Sequence, residues 1–242
     1  MITILRKEIN EFLDSLIAFV VIGIFLTGIG LLMWVFPETN VLDYGYASME
    51  TLFSLAPYVF MFLIPAITMK AFAEEKRSGT IELLYTLPFR DIEIVIGKFL
   101  AGFLLVIFSI LPTLIYYFSL SYLGNPVGNI DTAGIIGSYI GLALLGGIFT
   151  SIGILSSALT GNQIVSFILA AFLCFVFYAG FDSIASINIW SETSYIIERI
   201  GILAHYETLS KGLIDLGDVV YFLSMIILFL YVTRITLNVQ KG

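Results

Sequence analysis

The side chains with most chemistry to offer stand together in one stretch, Glu74-Glu75-Lys76-Arg77-Ser78-Gly79-Thr80-Ile81-Glu82-Leu83-Leu84-Tyr85-Thr86-Leu87-Pro88. Three carboxylates and two cations, with no histidine or cysteine among them, make neither a catalytic constellation nor a metal-ligand set. Their spacing describes a docking surface. A helix end is broken at Gly79 and followed by a short amphipathic helix, Thr80–Leu87, which Pro88 stops. Thr80 is the residue type that caps a helix start, and Ile81, Leu84 and Leu87 form an apolar edge. A short helix held at both ends can transmit a push. The alternative from composition alone is a solvated charged loop.

Other chemistries find no residues to carry them. The chain has one histidine, His205, and one cysteine, Cys174 in an apolar run. His205 reads as interfacial packing and Cys174 as a small core residue. There is no His-Glu-x-x-His, no Gly-x-Ser-x-Gly, no pair of membrane aspartates, and no Gly-x-x-x-x-Gly-Lys-[Ser/Thr] loop to cradle phosphates. The expectation is therefore a non-enzyme with no cofactor or metal of its own. Any uphill work draws its energy from another polypeptide. A formal charge of −7 argues against nucleic acid as a partner.

The elements that must hold such a loop are membrane spans. Of 242 residues, 59% are hydrophobic and only 12% charged, with a mean hydropathy of +1.03. A water-soluble domain of this size cannot bury that much apolar surface. A span takes about 20 apolar residues, and six stretches qualify: Leu16–Phe36, Leu52–Phe72, Lys98–Leu120, Ile135–Ala158, Ile164–Phe181 and Val219–Leu237. Pro57 and Pro65 should kink or break the second. The start of the chain lacks a cleavage site after its first apolar run, so that run is expected to be a permanent anchor. Lys70, Lys98 and Arg234 fall at span ends, which leaves the interiors without ionisable groups and without a legible pocket.

Charge sets the orientation. Six spans place nine of the eleven basic residues on one side, with Arg199 and Lys211 opposite among ten acids. The basic side is then cytoplasmic and carries both termini; Trp34 and Trp190 fall at the outer interface. Leu5, Ile9, Phe12, Leu13 and Leu16 recur at helical spacing, with Arg6, Lys7, Glu11 and Asp14 off the stripe, so an interfacial helix precedes the first span. Between spans five and six, Tyr195, Ile196, Ile200 and Leu203, then Tyr206, Leu209 and Leu213, suggest two short amphipathic outer helices. The fourth span is half small residues, with Gly137-x-x-x-Gly141 and an Ala143, Gly147, Ser151 ladder. That pattern fits packing inside the bundle, or else a seam between copies or a sliding surface. The fold class is thus an all-α integral membrane protein forming one domain over residues 1–242.

The Glu-Glu-x-x-x-Gly-Thr-x-Glu-Leu-Leu-x-x-x-Pro pattern, followed by Gly97-Lys98 leading into a span, resembles the cytoplasmic signature of ABC-2 type (type V) exporter permeases. Gly124-Asn-Pro-Val-Gly-Asn-Ile-Asp131, Asn162-Gln-Ile-Val-Ser-Phe167 and His205-Tyr-Glu-Thr-Leu-Ser-Lys-Gly-Leu-Ile-Asp215 resemble, within that family, the gliding-motility-associated GldF subfamily of Bacteroidota. Lys211-Gly212 stands where that subfamily usually has Arg-Gly. The resemblance spans essentially the whole chain and implies a bacterial inner-membrane location. It implies a cytoplasmic ATPase of the GldA type, which would bind ATP and Mg, and a second membrane subunit of the GldG type or a second copy of this chain. It further implies that Thr80–Leu87 is a coupling helix seated in the ATPase, with Glu74, Glu75 and Glu82 as polar contacts, in an export complex acting on an envelope substrate. The alternative is a non-transporting assembly or anchoring component of a gliding or secretion apparatus.

Overall fold

The computed structural model describes residues 2–43, 45–86, 88, 90–186 and 194–241. Every regular element among them is helical: α1 (Ile2–Leu13), α2 (Leu16–Trp34), α3 (Glu50–Thr68), α4 (Ala73–Ser78), α5 (Ile81–Thr86), α6 (Asp91–Ile110), α7 (Leu114–Leu123), α8 (Thr132–Leu159), α9 (Gln163–Phe175), α10 (Phe181–Ala185), α11 (Ser194–Ile200), α12 (Ile202–Ser210) and α13 (Leu216–Lys241), plus short 3-10 and π turns. Five stretches among the described residues are long and apolar enough to cross a membrane. Counting the pair α1–α2, bent by 66°, as one span gives six. The protein is an all-α integral membrane protein.

Local chemistry sets the helix limits. Asp131 starts α8 by accepting from the Gly134 N–H at 3.0 Å, and Asn162 starts α9 by accepting from Ile164 N–H at 2.9 Å. Gly79 ends α4 with φ of +74°, a left-handed backbone that a side chain would strain. The third span is longer than its apolar run, reaching from Asp91 to Leu123 with a 3-10 turn at Pro112. At ~1.5 Å per residue that is about 50 Å, so its ends stand clear of ~30 Å of hydrocarbon.

Two expectations need correction. Pro57 and Pro65 do not break the second span, since α3 runs through both. Pro57 lacks the N–H that would bond to the Phe53 carbonyl, and the Tyr206 hydroxyl donates to that oxygen instead, at 2.7 Å. The break comes later, at residues 69–72. Helix α1 forms, but its inward face is Ile4, Glu8 and Phe12, while Leu13 and Leu16 stay exposed. A hydrophobic stripe missed Glu8 because its reason for facing inward lies ninety residues away.

Helix α8 is the axis of the bundle, with Leu142, Leu145, Ile148, Phe149 and Ile152 fully buried. Its small residues are spent on close neighbours within the chain. A Cβ at Gly137 would stand 2.9 Å from Gly212 Cα, and one at Gly147 2.9 Å from Ile226. A Cβ at Gly153 would stand 2.8 Å from Thr68 Cβ. This is packing of α8 on α3, α12 and α13. Outward, Phe19 and Ile24 on α2, Phe172 on α9 and Leu228 on α13 remain exposed, as a lipid-facing surface requires.

Contacts sort the segments into two ends. Lys7 meets Glu75, Lys98 meets Glu8, and Gln240 donates to Ala158 O, which gathers the basic segments. Opposite, Tyr206 meets Phe53 and Ser138 meets Ser210, which gathers the acidic ones. Trp34 lies at the acidic end, edge-on to Tyr116; Trp190 lies outside the described residues.

Candidate functional site

At the basic end, α4 and α5 hang between the second and third spans, and the bundle grips α4 from two directions. Lys98 is 3% exposed, two turns into α6. Its ammonium donates to Glu8 at 2.8 Å, Ala71 O at 2.7 Å and Glu75 at 3.0 Å, and lies 5.0 Å above the Phe72 ring. One buried cation thus joins α1, the break after α3, α4 and α6. Reading Lys98 as a span-end charge missed this; the clue was Glu8, one acid on the wrong face of an amphipathic helix.

The second grip comes from α8. Ser157 Oγ accepts from the Phe72 and Ala73 N–H groups at 2.8 and 3.0 Å and donates to Met69 O at 2.9 Å. Those N–H groups open a helix and have no partner within it, so α8 supplies the cap that the sequence around α4 lacks. Lys76 donates to Ala158 O, and burial pushes its pKa down. Lys7 faces Glu75 at 3.2 Å. Partial burial pulls the Lys7 pKa down, but Glu8, Glu75 and Glu11 outweigh it, so the ammonium is held above its usual range.

These contacts divide the expected docking residues. Glu75 is turned inward, its side chain 14% exposed and taken by Lys98 and Lys7. Glu74 and Glu82 are exposed. Thr80 does not cap α5; its hydroxyl pairs with Ser78 at 2.8 Å and donates back to Glu75 O at 3.4 Å. Ile81 and Tyr85 are half-buried, whereas Glu82, Leu83 and Thr86 face out, with Leu83 67% exposed. The outward face of α5 is therefore Glu82, Leu83 and Thr86, and Ile81 of the expected apolar edge turns inward. Leu87 and the side chain of Leu84 lie outside the described residues; Pro88 is exposed, two residues beyond the end of α5. The far end of α13 also reaches this site: Lys241 pairs with Asp91 and lies 4.4 Å above the Tyr85 ring. Burial first, then Asp91 and Glu75, push the Tyr85 phenol up.

The acidic end holds two features that the sequence did not disclose. His205 clamps three helices: Nδ1 lies 2.6 Å from Asp218 Oδ1, Nε2 lies 2.9 Å from Arg199 O, and the ring stacks on Tyr221 with centroids 3.9 Å apart. The outer helices form, but only α12 turns its apolar face inward, through Ile202, Tyr206 and Leu209; Tyr195, Ile196 and Ile200 of α11 are exposed. Beside α12, a cleft of about 600 Å³ opens between the starts of α3 and α8.

Residues 2–237 match the family model described as ABC-2 family transporter protein. No curated protein matches the chain.

Proposed function

The chain belongs to the ABC-2 transporter family, and on that premise we propose that it is the membrane-spanning permease subunit of an exporter in which α5 receives the stroke of a separate ATPase. The observation that carries this is the contrast between α5 and its neighbour. Helix α5 shows an exposed Glu82-Leu83 face, while α4, joined to it through Gly79, is locked to α1, α6 and α8. A displacement of α5 reaches the third span through Lys98 and the fourth through Ser157. An exposed lever on an anchored base is what energy transfer from an outside motor needs.

In this reading the basic end is cytoplasmic and both termini lie in the cytoplasm of a bacterial inner membrane. ATP and Mg belong to the motor subunit. The second membrane subunit is of the GldG type or another copy of this chain. The Gly124–Asp131, Asn162–Phe167 and His205–Asp215 stretches support the gliding-associated subfamily with a GldA-type ATPase, and two of them supply the helix starts Asp131 and Asn162.

Glu82→Lys tests the coupling role. The docking area of so short a helix is small, so few contacts carry the binding energy. Reversing a central charge against a basic groove costs several kcal/mol. The expected result is loss of the ATPase on co-purification, or hydrolysis deaf to the permease, with the permease still folded. A solvated glutamate would shift binding by no more than about 0.5 kcal/mol, and equal recovery with equal stimulated turnover removes α5 from the role.

A further inference from the structure

The cleft at the acidic end has an unusual floor. Tyr178, in the π turn of the fifth span, is 2% exposed. It stands edge-on to Tyr58 at 5.7 Å and to Tyr206 at 6.2 Å. The Tyr206 hydroxyl is committed to Phe53 O. The Tyr178 hydroxyl takes no hydrogen-bond partner among the described residues, although Tyr58 and Glu207, both lining the cleft, lie close enough to act on it electrostatically. The ring is buried, but the hydroxyl is not shut off from water, and at the base of an open cleft it is offered, uncommitted within the chain, to whatever enters.

The remaining groups define that ligand. The cleft carries Glu50, Asp131 and Glu207 against one base, Lys211. Asp131 is occupied by the Gly134 N–H. Lys211 reaches Glu207 at 3.4 Å with both side chains more than half exposed, a pairing too wet to hold much energy. Glu50 forms no ion pair among the described residues. The free groups are therefore carboxylates, which only accept hydrogen bonds, and a phenol that can accept. Phe53, Ile135 and Leu203 supply an apolar wall. A sugar would bring donors but no charge, and a quaternary ammonium would bring charge but no donor. A primary ammonium brings both.

We propose that this cleft binds an organic primary amine, its ammonium held among Glu50, Glu207 and the Tyr178 hydroxyl and its carbon body laid on Phe53, Ile135 and Leu203. The binding needs neither the ATPase nor transport, so it stands or falls apart from the export reading. An aminolipid headgroup and a soluble amine share this chemistry.

The test is calorimetric titration of the intact permease in phosphatidylcholine nanodiscs with benzylammonium, phenyltrimethylammonium, benzyl alcohol and benzoate. Saturable one-site binding is expected for benzylammonium, at least tenfold tighter than for the other three. Tyr178→Phe keeps the ring and its packing and should weaken binding about tenfold, the worth of one hydrogen bond to a charged group. Glu50→Gln, at the exposed rim, should do the same with no effect on folding. Arg234→Gln at the opposite end should bind as wild type. Competition from added phosphatidylethanolamine assigns the site to a lipid headgroup, and its absence to a soluble amine. Equal affinity for benzyl alcohol or for the quaternary probe overturns the proposal, as does unchanged binding in both Tyr178→Phe and Glu50→Gln.

Discussion

Lys98 shows how much of this molecule rests on single side chains. Its ammonium is 2% exposed and the Glu8 carboxylate 6%, so neither charge has water to fall back on. Breaking such a pair from one side leaves Glu8 with only the half-exposed Lys7, 3.6 Å away, and a buried charge stripped of its partner costs about 3–5 kcal/mol. Lys98→Met should therefore lower unfolding stability in detergent by that amount. Adding Glu8→Leu should restore about 1 kcal/mol or more, because the stranded carboxylate is gone. A double variant no better than the single one would mean that Glu75, not Glu8, is the partner that matters. Glu8 was hidden from sequence reading because one acid beside the apolar stripe of an amphipathic helix looks like a border residue. Gly79 was legible, because glycine between two helical patterns is the residue that takes the left-handed backbone ending a helix.

At the scale of elements, Ser157 separates what local sequence can say from what it cannot. The positions of α4 and α5 followed from Gly79 and Pro88. The grip on α4 did not, because its N-terminal N–H groups are satisfied by a serine some 85 positions along. Ser157→Ala should strip two hydrogen bonds from that helix start and cost about 1–3 kcal/mol. Amide exchange should rise across residues 70–78 while the core of α8 keeps its protection; unchanged exchange there would show that Lys98 alone holds α4. That the chain is built of apolar spans was readable, since twenty apolar residues have few other fates, but not where the third begins, at Asp91 and seven residues before Lys98. The same uniform apolarity of the spans concealed the cleft, because its charged residues sit on helix ends and on α12 and not within the spans.

For the whole molecule, the division into a basic and an acidic end is the feature with the widest reach. Gln240, Ala158, Glu75 and Glu8 come from four distant parts of the chain and meet at one end, which requires an even number of crossings between them. On the proposed orientation, with the basic end in the cytoplasm, reporters fused after residues 130 and 200 should read as external, and those after 90 and 240 as internal. A cytoplasmic signal at 130 or 200 would invert the assembly and move the amine cleft to the motor side.

Glu8 and Lys98 also impose a timetable on synthesis. They lie 90 residues apart, and at about 5–20 residues per second the ribosome needs roughly 5–18 s to supply the second after the first. Through that interval the carboxylate has only the half-exposed Lys7 ammonium, 3.6 Å away, and lacks the buried cation that lets it face inward, so the amino-terminal helix must wait in water or among headgroups instead of docking. Its arrival is thus a late checkpoint, reached only when the third span has entered the bilayer. Ile4 reports on it, because it packs against Gly97 beside the incoming lysine. In ribosome-stalled chains, a thiol at that position (Ile4→Cys) should react freely when synthesis is halted before Lys98 emerges and become protected once it is halted after the third span; the natural Cys174 lies beyond both stall points.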